Sequence, residues 1–153
     1  MIHIINNGIT WEHPKTNIIY NPVSTYKGRV GQDIFNDLLR LKYRKVYDEY
    51  LDYMVGESSK RLLGDIQLVQ IDKCKIIMNA FIYKGKELNM LALSKTLVEL
   101  YNLAHEYELN VSIPMKMNSN NPITHELIKN VINTIFSDFE YDAYIYLKSP
   151  YRI

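Results

Sequence analysis

The sequence predicts an α/β fold: a three-layer sandwich in which helices cover both faces of a mixed central sheet. Short β-branched runs alternate along the chain with longer segments whose apolar residues recur at helical spacing. Such alternation is typical of sheets whose parallel strands are joined by helices. A length of 153 residues, of which 47% are hydrophobic, is usual for one domain with a substantial core, so we expect residues 1–153 to form a single domain.

Strands are predicted where short apolar runs end at turn-forming residues. The first run stops at the pair Asn7-Gly8, and the second lies between Pro14 and Pro22. Two later runs flank Asp72-Lys73 and are expected to form a β-hairpin. The predicted strands are Ile2–Ile5, Asn17–Tyr20, Ile66–Ile71, Lys75–Tyr83, Val111–Ile113 and Asp142–Leu147.

Helices are predicted where apolar residues share one stripe. The clearest stripe contains Leu93, Leu97 and Leu100 and lies on a helix over Met90–Tyr107. Proline is favoured in the first turn of a helix, and Pro122 stands where the last helix begins. The other predicted helices are Ile34–Leu41, Val46–Met54 and Ile123–Phe136.

The loops at one edge of the predicted sheet are the expected place for a ligand. In open α/β sheets, ligands bind outside the carboxyl ends of the strands. The loops that follow the strands there are Asn7–Thr10, Asn21–Gln32, Tyr83–Asn89 and Met115–Pro122. We expect the functional residues to lie in these loops.

Composition restricts the function classes. The net charge is only +1, which gives no overall attraction to nucleic acid or to an anionic membrane. The single cysteine, Cys74, cannot form an internal disulfide, and no apolar stretch approaches the roughly 18 residues of a membrane span. We therefore expect a cytoplasmic protein without membrane contact. The abundance of Tyr, Asn, Ile and Lys is typical of an AT-rich genome, such as that of a low-GC bacterium or its virus, and a viral protein would act in the host cytoplasm.

Motifs for metals and common cofactors are missing from the sequence. The four histidines have no metal-ligand spacing among themselves, and a single cysteine disfavours a structural zinc site. Neither a Gly-Lys-Ser/Thr phosphate-binding loop nor a Gly-x-Gly-x-x-Gly run occurs. We expect no bound metal and no cofactor.

Five short segments stand in a characteristic order along nearly the whole chain. They are Asn7–Ile9, His13–Asn17, Gly28–Ile34, Leu62–Ile66 and Ser112–Pro114. Together they resemble the macrodomain family, and most closely the branch that includes the terminal ADP-ribose protein glycohydrolases. The glycine-bearing segment at Gly28 resembles the family's first ligand loop, which runs into a helix.

The resemblance implies a site for ADP-ribose or an ADP-ribosylated macromolecule. Two loops lead into helix N-termini, whose backbone N–H groups hold a diphosphate with little positive charge. Glycine lets the backbone approach the ligand closely. The residues that the resemblance places at the ligand are Gly8, Ile9, Asn21, Pro22, Val23, Ser24, Gly28, Arg29, Val30, Gly31, Ile34, Met115, Lys116, Met117, Asn118, Ser119 and Asn120.

Two positions depart from the family pattern. Ile9 stands where the family has an aspartate that accepts a hydrogen bond from the adenine amino group. Losing one such bond weakens binding by about 1.5–3 kcal/mol, so another group must read the base, or the base is only packed. The second loop, Met115–Pro122, has no glycine, and its Asn and Ser side chains replace a glycine-rich run.

Catalytic members of the branch use a lysine nucleophile and an aspartate. Lys84 falls near the lysine position, and Asn121 near the aspartate position. An amide cannot act as a general base. Three hypotheses follow: a binding module that sequesters a nucleotide signal, an ADP-ribosyl glycohydrolase that uses Lys84, and an interaction protein that has lost the pocket. The helix face formed by Tyr43, Tyr47 and Tyr50 is the candidate partner surface for the third. The sequence does not indicate an oligomeric state.

Overall fold

The computed structural model describes residues 1–25, 41–54, 62–85, 87–115 and 122–147. Within these ranges, seven strands form one mixed sheet. The strands are β1 (Ile2–Ile5), β2 (Ile18–Ser24), β3 (Ile66–Gln70), β4 (Ile76–Lys84), β5 (Glu87–Leu88), β6 (Val111–Pro114) and β7 (Ala143–Tyr146). The long helices are α1 (Arg44–Met54), α2 (Met90–Tyr107) and α3 (Pro122–Phe136), and a 3-10 helix covers Thr10–Glu12.

The sheet has the strand order β1-β7-β6-β2-β4-β3, and β5 pairs with β4. Neighbours from β1 through β4 in this order are parallel, whereas β3 and β5 run antiparallel to β4. The antiparallel pairing of β3 with β4 confirms the predicted hairpin. The predicted mixed sheet is therefore confirmed.

Helices cover both faces of the sheet, which confirms the three layers. Ile18 and Tyr20 of β2 pack into one cluster with apolar residues of α2 and α3, such as Leu97 and Ile132. The intervening residue, Ile19, points the other way and packs with Trp11 and with Val46 of α1. The alternation expected of a strand thus places one helix layer on each face.

Strand β2 lies in the middle of the sheet and is buried along its whole length. The prediction that a loop begins at Asn21 was wrong, because β2 continues through Ser24. Proline is tolerated within this strand for a local reason. Ile18 donates its N–H to the Asn110 carbonyl on the β6 side, and alternation places the nitrogen of Pro22 on that same side. Pairing with β6 stops at Ile19, so no N–H is needed at Pro22.

Helix α2 has the bounds that its apolar stripe predicted. Asn89 precedes it, and the Asn89 side chain accepts a hydrogen bond from the Ala92 N–H at 2.8 Å. At the other end, Glu108 adopts a left-handed conformation and donates its N–H to the Ala104 carbonyl. None of the helices in the described part of the chain is long and apolar enough to cross a membrane.

The edge strand β1 is held to β7 by more than its backbone pairing. His3 Nε2 lies 2.8 Å from Asp142 Oδ1, and this hydrogen bond holds the pKa of Asp142 below its ordinary value. The ring of Tyr144 stacks on the rings of both His3 and His13, with centroid separations of 5.0 and 3.7 Å. These contacts fix β1, and with it one end of the sheet edge at which the predicted loops lie.

The hydroxyl groups of Tyr20 and Thr96 give a test of the packing between β2 and α2. They lie 2.7 Å apart in the core, and Thr96 Oγ1 also donates toward the Ala92 carbonyl at 2.9 Å. Thr96→Val leaves the buried Tyr20 hydroxyl without this partner, so we expect a loss of about 1–3 kcal/mol of unfolding free energy. Tyr20→Phe leaves Thr96 bonded to Ala92, and we expect a smaller loss of about 1 kcal/mol.

Urea unfolding of both variants and of the double variant measures these losses. The double variant is expected to lose less than the two single losses added together, because it leaves no buried hydroxyl unpaired. A larger loss for Tyr20→Phe than for Thr96→Val would contradict the assignment.

Candidate functional site

The adjacent parallel strands β2 and β6 lie at a point where the chain diverges. From β2 the chain continues through α1 to β3 and β4 on one side, and from β6 it continues through α3 to β7 on the other. Such a reversal opens a crevice outside the carboxyl ends of the two strands. The two strands pair only at Ile18–Val111 and Ile19–Ser112. The crevice between β2 and β6 is therefore the candidate site.

The strands that precede the predicted loops end at one edge of the sheet. The parallel strands β1, β7, β6, β2 and β4 all end there, and at the usual interstrand spacing their ends span roughly 19 Å. Gly8 follows β1, Met115 follows β6 and Lys84 ends β4. The predicted site residues outside the described ranges are Gly28, Arg29, Val30, Gly31, Ile34, Lys116, Met117, Asn118, Ser119, Asn120 and Asn121.

The last two residues of β2 have different roles: Val23 packs in the core, and Ser24 makes hydrogen bonds. Val23 is fully buried and packs with Tyr50 and Phe81 on the α1 side. The carbonyl of Ser24 accepts a hydrogen bond from the Tyr50 hydroxyl at 2.7 Å, and the Ser24 hydroxyl donates to the Gly85 carbonyl at 3.3 Å. These bonds tie the end of β2 to both α1 and the end of β4.

Gly8 is required by the close approach of an aromatic ring. A Cβ atom placed on Gly8 would lie 2.8 Å from Tyr146 Cε2 and 3.2 Å from Tyr146 Cδ2. Tyr146 ends β7 and is buried, and burial raises the pKa of its hydroxyl to about 12. The turn after β1 therefore rests on the ring of Tyr146, at the same edge as the crevice.

Ile9 has a packing role that explains its apolar side chain. It packs, partly buried, against the cluster that contains Trp11 and Ile19. Its carbonyl accepts a hydrogen bond from the Glu12 N–H at 3.0 Å, which closes the 3-10 helix. Ile9 thus stabilises the turn and offers no side-chain acceptor to a ligand.

Lys84 and Met115 lie on opposite sides of β2. Lys84 is exposed, pairs with Glu87 of β5, and comes directly after Tyr83, the residue in register with Ser24. Met115 is buried in the core on the α3 side, and its N–H donates to the Tyr146 carbonyl at 2.7 Å. The structure places Lys84 at the carboxyl end of β4, with its side chain exposed.

A cavity of about 360 Å³ lies between α3 and the strands β1, β7 and β6. Its walls are mostly apolar, with Lys129 and Asn133 of α3 adding polar groups. It reaches the carboxyl edge of the sheet at Met115 and Leu147. The lining residues are Ile2, Ile4, Met115, Lys129, Ile132, Asn133, Ile145 and Leu147. Sequence reasoning missed this cavity because isoleucines on separate strands carry no local signal.

The tyrosine face of α1 is largely turned toward the protein. Tyr50 is fully buried, and its ring stacks on Phe81 at 5.9 Å, so it cannot belong to an exposed partner surface. Tyr43 packs edge-on against Trp11. Tyr47 is partly buried and stacks on Tyr50. The prediction of a partner surface on this face therefore fails at Tyr50, and the spacing reflects packing on the sheet.

Neither a protein-family model nor a curated protein sequence matches this chain. Solved structures match it over nearly its whole length. The macrodomain of Thermus aquaticus DarG has a TM-score of 0.78 and 17% identity, covering 96% of this chain and 98% of that one. The macrodomain of Mycobacterium tuberculosis DarG has a TM-score of 0.76 and 20% identity, covering 95% and 97%. A Trypanosoma brucei macrodomain in complex with ADP-ribose has a TM-score of 0.64 and 10% identity, covering 95% and 63%.

The chain has the macrodomain fold. This confirms the fold that the five sequence segments had predicted. Identities of 20% or less establish the backbone arrangement alone. The macrodomain fold therefore fixes which strand ends meet at the edge, while the chemistry of that edge depends on this chain's own residues.

The contact between Gly8 and Tyr146 gives a test of how the edge is built. Gly8→Ala forces the new methyl group against a buried ring, and we expect a loss of about 1–3 kcal/mol in unfolding free energy. Asn7→Ala, at the exposed neighbouring position, is the matched control and is expected to have little effect. Urea unfolding measures both. Equal stability of Gly8→Ala and Asn7→Ala would show that the ring does not need the glycine.

Proposed function

We propose that this protein binds ADP-ribose, or a molecule that carries this group, along the carboxyl edge of its sheet. The observation that carries the proposal is the crevice at β2 and β6, where the chain diverges. The row of strand ends beside it is long, which suits an elongated ligand with a group at each end. The Trypanosoma brucei macrodomain of the same fold is a complex with ADP-ribose.

The apolar cavity under α3 is proposed to take the base. The cavity lies at the end of the row formed by β1, β7 and β6, and six of its eight lining residues are apolar. Binding sites for small molecules are usually apolar with few polar groups. Ile9 cannot accept a hydrogen bond from an adenine amino group. The base would therefore be held mainly by packing, with Lys129 and Asn133 as the nearby polar side chains.

The diphosphate is proposed to lie at the crevice, between the segments that follow β2 and β6. Backbone N–H groups are the expected donors to it, since a net charge of +1 supplies no strong general attraction to anions. Lys116 is the candidate for an added positive charge. The other proposed contacts in these segments are Gly28, Arg29, Val30, Gly31, Ile34, Met117, Asn118, Ser119 and Asn120.

Binding without turnover is the favoured activity. The proposed aspartate position holds Asn121, whose amide cannot accept a proton as a general base. A protein that retains the site and lacks this base would sequester an ADP-ribose-like signal. We propose this role for the chain, in the cytoplasm and as a single domain.

Isothermal calorimetry with ADP-ribose tests the binding. We expect a dissociation constant below about 1 mM. Ile4→Trp is expected to weaken binding at least tenfold, because Ile4 lines the cavity and the larger side chain would fill it. Leu68→Trp is the matched control, since Leu68 is an exposed aliphatic residue on β3, the opposite edge strand, and it should bind normally. No heat with ADP-ribose, or with cyclic or conjugated nucleotides, at about 1 mM would reject the proposal.

A second candidate function, ADP-ribosyl hydrolysis, is favoured by the position of Lys84. Its exposed amine lies at the end of β4, next to the strand that borders the crevice. A neutral lysine amine would form a C–N bond to the anomeric carbon of the distal ribose as the bond to the modified macromolecule breaks, and water would then release ADP-ribose from the lysine.

Incubation with ADP-ribosylated protein and nucleic acid decides between binding and hydrolysis. We expect no release of ADP-ribose that depends on Lys84, and we expect Lys84→Ala to keep ADP-ribose binding. Lys73→Ala, at the exposed hairpin turn, is the control. Release that is abolished by Lys84→Ala and kept by Lys73→Ala would establish the enzyme instead.

A further inference from the structure

A row of three side-chain amides crosses the sheet on the face that α1 covers. Asn21 of β2, Asn79 of β4 and Gln67 of β3 are in register with one another. Asn21 Nδ2 donates to Asn79 Oδ1 at 2.9 Å, and Asn79 Nδ2 donates to Gln67 Oε1 at 3.1 Å. The row ends at α1, where Gln67 Nε2 donates to the Glu49 carbonyl at 2.8 Å.

The Glu49 carbonyl fixes the orientation of every amide in the row. A carbonyl oxygen only accepts hydrogen bonds, so Gln67 must turn its amino group toward Glu49 and its oxygen toward Asn79. Asn79 must then offer its amino group to Gln67 and its oxygen to Asn21. Asn21 must offer its amino group to Asn79, which leaves Asn21 Oδ1 as the free end of the row.

Asn21 Oδ1 is buried and finds no hydrogen-bond partner among the described residues. The whole residue is 1% exposed, and a buried acceptor without a partner is destabilising. Since the oxygen and nitrogen of a carboxamide diverge, Oδ1 is turned away from β4. The other neighbour of β2 is β6, and its pairing with β2 has already ended at Ile19.

We infer that Asn21 Oδ1 accepts a hydrogen bond from the bound ligand, in an orientation that Asn79, Gln67 and the Glu49 carbonyl hold fixed. The inference rests on the proposed function and names a contact within that site. The donor is a hydroxyl of the distal ribose, because the base is proposed to lie in the cavity on the opposite face of the sheet. Gln67 is a positioning residue, since it acts on the ligand only through Asn79 and Asn21.

Calorimetry with three probes tests the contact: ADP-ribose, its hypoxanthine analogue, which lacks the amino group, and ADP, which lacks the distal ribose. We expect Asn21→Ala to weaken ADP-ribose binding by about tenfold, the equivalent of one hydrogen bond. With a distal hydroxyl as the donor, the loss persists with the hypoxanthine analogue and disappears with ADP. A loss that persists with ADP and disappears with the analogue would overturn the assignment, since it would place the base at Asn21.

The far end of the row provides a variant that leaves Asn21 in place. Gln67→Met frees the amides of Asn79 and Asn21 to rotate, so we expect ADP-ribose binding to weaken several-fold with the same dependence on the probe. Gln70→Met is the matched control, because Gln70 is an exposed amide on the same strand, and it should bind as the unaltered protein does. Thermal unfolding without ligand verifies that each variant is folded.

The outcomes separate this inference from the proposed function. If the unaltered protein binds ADP-ribose and Asn21→Ala binds each of the three probes as tightly as the unaltered protein does, the inference is wrong and the proposed function stands. An equal loss for all three probes also overturns it, since a general distortion of the site would have that effect. If the unaltered protein binds none of the probes, the proposed function fails, and the assignment of Asn21 fails with it.

Discussion

Strand β2 is buried at each residue from Ile18 to Ser24, with parallel neighbours on both sides, and the rest of the arrangement depends on this burial. A strand covered on both faces needs a helix layer on each side. The chain meets this need by sending its connections over opposite faces, with α1 on one and α2 and α3 on the other. The same routing separates the ends of β2 and β6. The crevice is therefore a consequence of how the central strand is covered.

Long amphipathic segments could be predicted from the sequence with accurate bounds. Met90–Tyr107 was predicted to the residue, because its apolar stripe repeats over five turns. The order of strands and helices also followed from local patterns, and with it the edge at which the parallel strands end. What a local pattern could not supply was the sheet order that brings β2 beside β6, since that order depends on contacts between residues about 90 positions apart.

The errors of the sequence-based prediction share one physical cause: contacts with residues that are distant in the sequence. Pro22 indicated the end of a strand, yet its missing N–H is harmless because β6 has already separated from β2 at that point. The short strand β5 exists only through its pairing with Tyr83 and Lys84. Tyr50 belonged to a regular tyrosine spacing that looked like a surface, and the sheet buries it. In each case a distant partner decided the environment of the residue.

The fold and the ligand are constrained by different residues. The macrodomain fold is shared with structures that are 20% identical or less, which is understandable because pairing and burial accept many apolar side chains. Ligand contacts depend on single polar atoms and do not transfer with the backbone.

At Ile9, an acceptor expected from the resemblance is replaced by packing against the Trp11 cluster. At Asn21, a side-chain oxygen without a hydrogen-bond partner among the described residues lies in β2, and the backbone carbonyl of Glu49 in α1 fixes its orientation through Gln67 and Asn79. A buried acceptor of this kind weakens the unliganded protein. Its presence is understandable where a bound molecule supplies the missing donor, which is the contact proposed for Asn21.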